Sequence, residues 1–233
     1  MSIFSISDLH LSFGKDKPMS IFGQRWDGYE ERLRKNWEET VKDGDVVVLP
    51  GDFSWGMHLE ETLDDFRFLD NLPGIKILSK GNHDYWWETA NKLNAFVHEN
   101  ELHSIRFLHN NTFLFEKTAV CGTKGWAMTQ EGPEDMRLYR RELLRLELSL
   151  KAALKEGAEE ILLFMHYPPF LKCAPEHPQE FFDLIAPYPI TVCAYGHLHG
   201  PGGVQAYKGD KNGVNYLPVS CDLVDFLPIL IKF

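Results

Sequence analysis

The sequence predicts an α/β protein with two packed β-sheets and helices on their outer faces. Five short, apolar runs, largely β-branched, at residues 3–6, 46–49, 75–78, 161–165 and 191–195, have the length and composition of strands buried on both faces. Amphipathic segments alternate with the first of these runs, and strand–helix–strand order makes a largely parallel sheet. The last stretch, residues 203–233, instead holds three short strands separated by Gly-Asp-Lys-Asn-Gly and by Cys221-Asp222, the pattern of an antiparallel meander.

Taken in order, the first strand ends at Asp8-Leu9-His10, and a Gly-, Lys- and aromatic-rich connection, residues 11–27, follows it as an expected rim or lid. Residues 28–42 repeat Tyr29, Leu33, Trp37 and Val41 every fourth position, which predicts an amphipathic helix. After the second strand, residues 59–72 place Leu63, Phe66, Leu69 and Leu72 on one helical face, and Pro73-Gly74 stops it. A third helix is expected from Tyr85-Trp86-Trp87 to about Glu99, and residues 105–115, broken by Asn110-Asn111, read as a β-hairpin. A strand at 118–122, a loop at 123–133 and the longest helix, from about 134 to 156, complete the middle of the chain. Without a linker or an internal repeat, residues 1–233 read as one domain.

Composition narrows the function. The chain has 233 residues, 44% apolar and 25% charged, with a net charge of −10. That balance argues against an extended nucleic-acid surface or an anionic-membrane surface, while bound metal would still let a small phosphorylated substrate approach. Residues 1–13 carry Asp8 and His10 within their apolar stretch and lack a basic leader, a poor signal peptide, and no run approaches membrane-spanning length. Cys121, Cys173, Cys193 and Cys221 have no C-x-x-C spacing and read as free thiols, which favours a cytoplasmic location. Oligomeric state is not encoded in any of these features.

The chemistry gathers at strand ends, where α/β sheets collect ligand-binding groups. Asp8 and His10, Gly51-Asp52, Gly81-Asn82-His83-Asp84, His166 and Gly196-His197-Leu198-His199 each follow an apolar run. Carboxylate and imidazole together suit Mn, Fe, Co or Zn. Two such ions, about 3.5–4 Å apart, would clamp a phosphoryl group and acidify a bridging water into a hydroxide nucleophile. Asp52, alone after its strand, fits a bridging ligand, Asn82 offers a neutral amide oxygen, and His83 is free to donate a proton to the leaving oxygen. Around the site, Arg25, Trp26, Trp86, Lys124 and Trp126 are candidate substrate contacts. His98, His103, His109 and His177 lack motif context and read as structural or surface residues.

The order Asp-x-His, Gly-Asp, Gly-Asn-His-Asp, His, Gly-His-x-His resembles the calcineurin-like metallophosphoesterase superfamily, from Asp8 to His199. The resemblance implies a four-layer α/β/β/α sandwich with two mixed β-sheets flanked by helices. It implies one divalent or trivalent metal ion on Asp8, His10, Asp52 and His199, a second on Asp52, Asn82, His166 and His197, and His83 as general acid. The expected function is hydrolysis of a small-molecule or nucleotide phosphodiester or phosphomonoester. One departure stands out. Where many protein phosphatases of the superfamily read G-D-x-x-D-R-G, this chain reads Gly51-Asp52-Phe53-Ser54-Trp55-Gly56-Met57. The carboxylate that orients the acid histidine and the phosphate-gripping arginine are missing there, so a protein Ser/Thr phosphatase is not expected, and Asp84 or His58 becomes the candidate to orient His83. Two alternatives remain: a non-catalytic metal-binding scaffold on the same fold, and a binuclear hydrolase of amides or lactones.

Overall fold

The computed structural model describes residues 1–127, 132–173 and 179–233; His177 and part of the 123–133 loop lie outside them. Eleven strands form two mixed sheets among the described residues. In chain order they are β1 (Ile3–Ser5), β2 (Val46–Pro50), β3 (Ile75–Ser79), β4 (Ile105–Phe107), β5 (Phe113–Phe115), β6 (Thr118–Thr123), β7 (Glu160–Met165), β8 (Ile190–Tyr195), β9 (Gly209–Lys211), β10 (Val214–Pro218) and β11 (Ile229–Lys232). The first sheet runs β11-β1-β2-β3-β4 and the second β5-β6-β7-β8-β10-β9. Each is parallel at its centre and antiparallel at an edge: β11 against β1, β5 against β6 and β9 against β10.

Strand alternation builds the layers. Val46 and Val48 share a buried cluster with Ile77, Val120, Leu162, Phe164 and Ala194, which fills the space between the sheets. Val47 and Leu49 point the other way, into a cluster with Leu33 and Trp37 of α1 (Tyr29–Thr40), Phe66 and Leu69 of α2 (Leu63–Asp70) and Leu93 of α3 (Ala90–Glu99). Leu163 and Cys193 likewise face Leu146 and Leu150 of α4 (Pro133–Lys155) and Phe181 of α5 (Gln179–Ile185). Period-two side chains therefore serve two cores at once, and the α/β/β/α sandwich follows. Helix α4 opens with Pro133 at its first turn, followed by Glu134 and Asp135, which favour the positive helix end. It closes on Gly157, at φ 85°, with the Ala158 N–H on Ala153 O at 3.0 Å and the Gly157 N–H on Leu154 O at 3.0 Å.

Three expected elements differ. Residues 105–115 are not a hairpin: β4 pairs parallel with β3, and β5 belongs to the other sheet. Asn110, at φ 63°, does turn the chain, but the turn carries it between sheets, and the Ser149 hydroxyl on α4 donates to Asn111 O at 2.6 Å to hold the crossing. The hairpin lies one segment later, between β5 and β6. The last stretch is not a meander: β9 and β10 form a hairpin at Asn212-Gly213, β10 runs parallel to β8, and β11 returns to the first sheet. Helix α3 starts at Ala90 rather than at Tyr85. The Trp86 indole is drawn inward by Asp84 and by Phe53 and Phe66, which bends residues 85–87 into a turn. Helix α5, with Phe181, Phe182 and Ile185 buried, was not anticipated.

Candidate metal centre and active site

The strand ends converge. Ligand atoms of Asp8, His10 and His199 lie within 4.8 Å of one another, and so do those of Asp8, Asp52 and His166. The backbone is bent to bring them there: Asp8, His10, Asp52 and His197 adopt φ of 59°, 47°, 53° and 71°. Left-handed conformations of this kind cost roughly 1 kcal/mol or more each for non-glycine residues, and clusters of them mark functional sites. Two motif glycines permit the approach. A Cβ on Gly81 would overlap the Asp52 carboxylate, and one on Gly196 would overlap the Asp8 carboxylate and the Ser7 hydroxyl.

Each functional side chain is braced from behind. Asp84 is fully buried and accepts backbone N–H bonds from Gly81 (2.7 Å), Asp52 (2.9 Å) and Phe53 (2.9 Å), plus the Trp86 indole N–H (3.1 Å). It thereby locks the Gly-Asp motif to the Gly-Asn-His-Asp motif. The His83 backbone N–H in turn holds Asp52 Oδ1 at 2.7 Å, and the His197 N–H holds the Asp8 carboxylate at 3.0 Å. His166 Nδ1 lies 3.1 Å from Pro50 O, and His199 Nδ1 lies 3.0 Å from Asp222 Oδ1. A carbonyl or carboxylate can only accept, so both rings carry a proton on Nδ1 and turn Nε2 inward. The Tyr29 hydroxyl donates to His10 O (3.1 Å), and Cys221 Sγ reaches Asp8 O (3.0 Å).

This donor set fits cations. With its Nδ1 proton given to Pro50, His166 Nε2 faces Asn82 Oδ1 at 2.6 Å, two acceptors that a shared cation would reconcile. His10 Nε2 and His199 Nε2 stand 3.3 Å apart. Two nitrogens bound to one ion at about 2.1 Å, tetrahedral or octahedral, are roughly 3.0–3.4 Å apart. His10 Nδ1 is buried without a hydrogen-bond partner. Asp52 Oδ2 lies between the halves, 3.7 Å from His10 Nε2 and 3.5 Å from His166 Nε2. Burial drives His10, His166 and His197 below the ordinary histidine range, leaving neutral imidazoles, the form that ligates. Burial, with Asp8 behind it, pushes Asp52 up. At His199 burial opposes the charge, but Asp8 and Asp222 outweigh it and raise the group, so positive charge is demanded at that spot.

His83 stands at the mouth, half-buried, with its ring 4.8 Å from Trp55 and 5.6 Å from His10. Burial, then His166 and Lys17, lowers it. The residues expected to orient it are occupied elsewhere: Asp84 holds backbone, and His58 caps the 3-10 turn Leu59–Thr62. Trp55 borders the ring instead, stacked on His10 at 4.6 Å, with Lys17 Nζ 3.2 Å above the indole. Of the expected substrate contacts, Trp26 and Trp86 are buried packing residues, and Arg25 pairs with Asp225 at 2.6 Å. Lys124 and Trp126 lie behind Tyr167, whose ring packs on His197 at 4.3 Å. Lys17 and Tyr167 belong to no motif, Asp222 reads in the sequence only as part of a strand separator, and Trp55 stands where protein phosphatases carry the orienting carboxylate. Cys121, Cys193 and Cys221 are buried free thiols, and Cys173 is an exposed one. No described helix is long and apolar enough to cross a membrane.

Two mixed sheets whose strand ends deliver Asp, Asn and His to one buried cluster define a metallohydrolase architecture. The chain belongs to the calcineurin-like phosphoesterase family, whose model matches residues 1–201. Membership implies metal-dependent phosphoester hydrolysis. Among solved structures, protein TT1561 of Thermus thermophilus is similar in fold, with 16% identity, a TM-score of 0.59 and coverage of 99% of this chain and 97% of that one. Phosphopantetheinyl hydrolase of Mycobacterium tuberculosis is also similar, with 13% identity, a TM-score of 0.54 and coverage of 94% and 88%. No curated protein sequence matches this chain.

Proposed function

We propose that this protein is a dinuclear phosphohydrolase acting on a phosphodiester or phosphomonoester of a small molecule or nucleotide. The observation that carries the proposal is two facing pairs of ligand-type atoms, His10 Nε2 with His199 Nε2 and His166 Nε2 with Asn82 Oδ1, on either side of Asp52 Oδ2. Asp8, His10, Asp52 and His199 would hold one ion, and Asp52, Asn82, His166 and His197 the other, drawn from Mn, Fe, Zn or Co. Such a pair would supply Lewis acidity to the phosphoryl oxygens and acidify a water into a nucleophile.

The chain's own residues do the rest. Asp84 fixes the Asp52 backbone, and Asp222 fixes the His199 ring, so neither ligand must reorganise during reaction. His83 Nε2 or Nδ1 donates a proton to the leaving oxygen; its lowered pKa makes the imidazolium a strong acid, and the negative charge of bound substrate favours its protonation. Lys17, above Trp55 beside His83, supplies positive charge where the protein-phosphatase arginine is missing. The test is hydrolysis of p-nitrophenyl phosphate and bis-p-nitrophenyl phosphate with Mn²⁺ and with chelator. Mn²⁺-dependent turnover of either ester supports the reading. A folded protein that binds two ions and turns over neither would make it a metal-binding scaffold.

A further inference from the structure

Next to the proposed centre, a cavity of about 330 Å³ is lined by Lys80, Trp87, His109, Lys124, Glu142 and Arg145. Its size is that of a small-molecule subsite. Its charge runs against the rest of the molecule, which is −10 overall. Of the two acids that line it, Glu142 is buried and already satisfied: it pairs with Arg145 at 2.7 Å and Arg141 at 3.4 Å and accepts the Thr123 hydroxyl at 2.9 Å. Glu88, the other, pairs with Lys92 at 3.1 Å. That leaves Lys80 and Lys124, both half-buried, without a carboxylate in ion-pair range among the described residues. Holding two surplus ammonium groups together in a partly dry cavity is unfavourable unless an anion offsets them.

The chain links the cavity to the centre on one side. Lys80 immediately precedes Gly81-Asn82. Lys124 O accepts the Tyr167 backbone N–H at 2.9 Å, and the Tyr167 ring packs on His197. The subsite therefore adjoins the Asn82–His166–His197 half.

We propose that this cavity binds a second phosphate of the substrate, so that the molecule hydrolysed carries one phosphoryl group at the metal centre and another between Lys80 and Lys124. Two surplus ammonium groups match the charge of a phosphate monoester, −1.5 to −2 at neutral pH. The inference rests on the phosphohydrolase reading and narrows its substrate class.

A matched pair of chromogenic diesters tests it: thymidine 5′-(p-nitrophenyl phosphate) and the same compound bearing a 3′-phosphate. The Mn²⁺-loaded wild type should favour the 3′-phosphorylated ester by about tenfold or more in kcat/KM. That ratio should fall toward one in Lys80→Met, and in Lys124→Met should Lys80→Met fail to fold. A wild type with no preference, or a ratio unchanged in both variants, overturns the subsite. Should neither diester be turned over, the hydrolase reading fails separately. Calorimetric titration of the Mn²⁺-loaded protein with thymidine 3′,5′-bisphosphate and thymidine 5′-phosphate then decides the cavity: tighter bisphosphate binding that Lys80→Met abolishes supports it, and equal affinities overturn it.

Discussion

Asp222 Oδ1 accepts the Nδ1 proton of His199 at 3.0 Å, which turns His199 Nε2 toward Asp8 Oδ1 at 3.2 Å. The second oxygen of Asp222 takes the Gly200 N–H at 2.8 Å, so the carboxylate sets both ring and loop. Carboxylates placed behind ligating histidines raise their basicity and fix their tautomer. Asp222→Ala should therefore weaken Mn²⁺ binding by about 10- to 100-fold. Calorimetric titration with Mn²⁺ checks this, and unaltered affinity would assign Asp222 to loop structure alone.

Asp84 is a stability residue as much as a site residue. Its removal strands three buried N–H groups and the Trp86 indole. Asp84→Ala should lose on the order of 3–5 kcal/mol, which for a chain of this size lowers the Tm by roughly 10 °C. A thermal melt shifted by no more than a degree or two would show that water replaces the carboxylate.

For His83 the leaving group is the diagnostic. A general acid matters most when the departing oxygen is a poor leaving group, so His83→Ala should reduce kcat on an alkyl phosphate by about 10²–10⁴-fold. Its effect on a p-nitrophenyl ester should be clearly smaller. Equal losses on both would argue that His83 shapes the Asp52 loop, through the backbone N–H it donates at 2.7 Å, rather than donating a proton.

Away from the site, Lys76 is fully buried beneath Ser104 Oγ, 3.0 Å away, and Leu72 O. Burial lowers its ammonium to about 8 from an ordinary 10.5, outweighing Asp70 and Asp43. The folded state therefore prefers the neutral amine. Below pH 8 both folded and unfolded chains are charged, and the folded state bears the full penalty; between pH 8 and 10.5 the penalty is relieved. Lys76 should add on the order of 2–3 kcal/mol of stability across that rise. Urea unfolding of wild type and Lys76→Met at several pH values measures it, and identical pH slopes would refute it.

The proposed ligands were legible because each sits at the end of a continuous apolar run, where period and position agree: Val46–Pro50 leads to Asp52 and Ile75–Ser79 to Asn82. The supports were not legible because they come from side chains distant in sequence. Asp222 is 23 residues beyond His199 and has no signature until the segments that follow β10 and β1 are bridged at Ser220 and Ser7. Sheet membership failed for a related reason. Residues 105–115 contain the right strands and the right turn residue, but local pattern does not encode whether a turn folds a strand onto its neighbour or passes it to another sheet. Helix α5 carries a readable Phe181, Phe182, Ile185 face that its shortness, seven residues, makes easy to miss. The expected orienting role of Asp84 followed from adjacency to His83, whereas its side chain turns inward to the backbone of β2's exit.

The most direct measurement is the rate of p-nitrophenyl ester hydrolysis as Mn²⁺ is added to metal-free protein, with bound metal counted in parallel. Two facing pairs of ligand-type atoms on either side of Asp52 predict two ions per chain, with activity rising as the second equivalent binds and vanishing in Asp52→Ala. A single bound ion, or full activity in metal-free protein, would contradict a dinuclear centre.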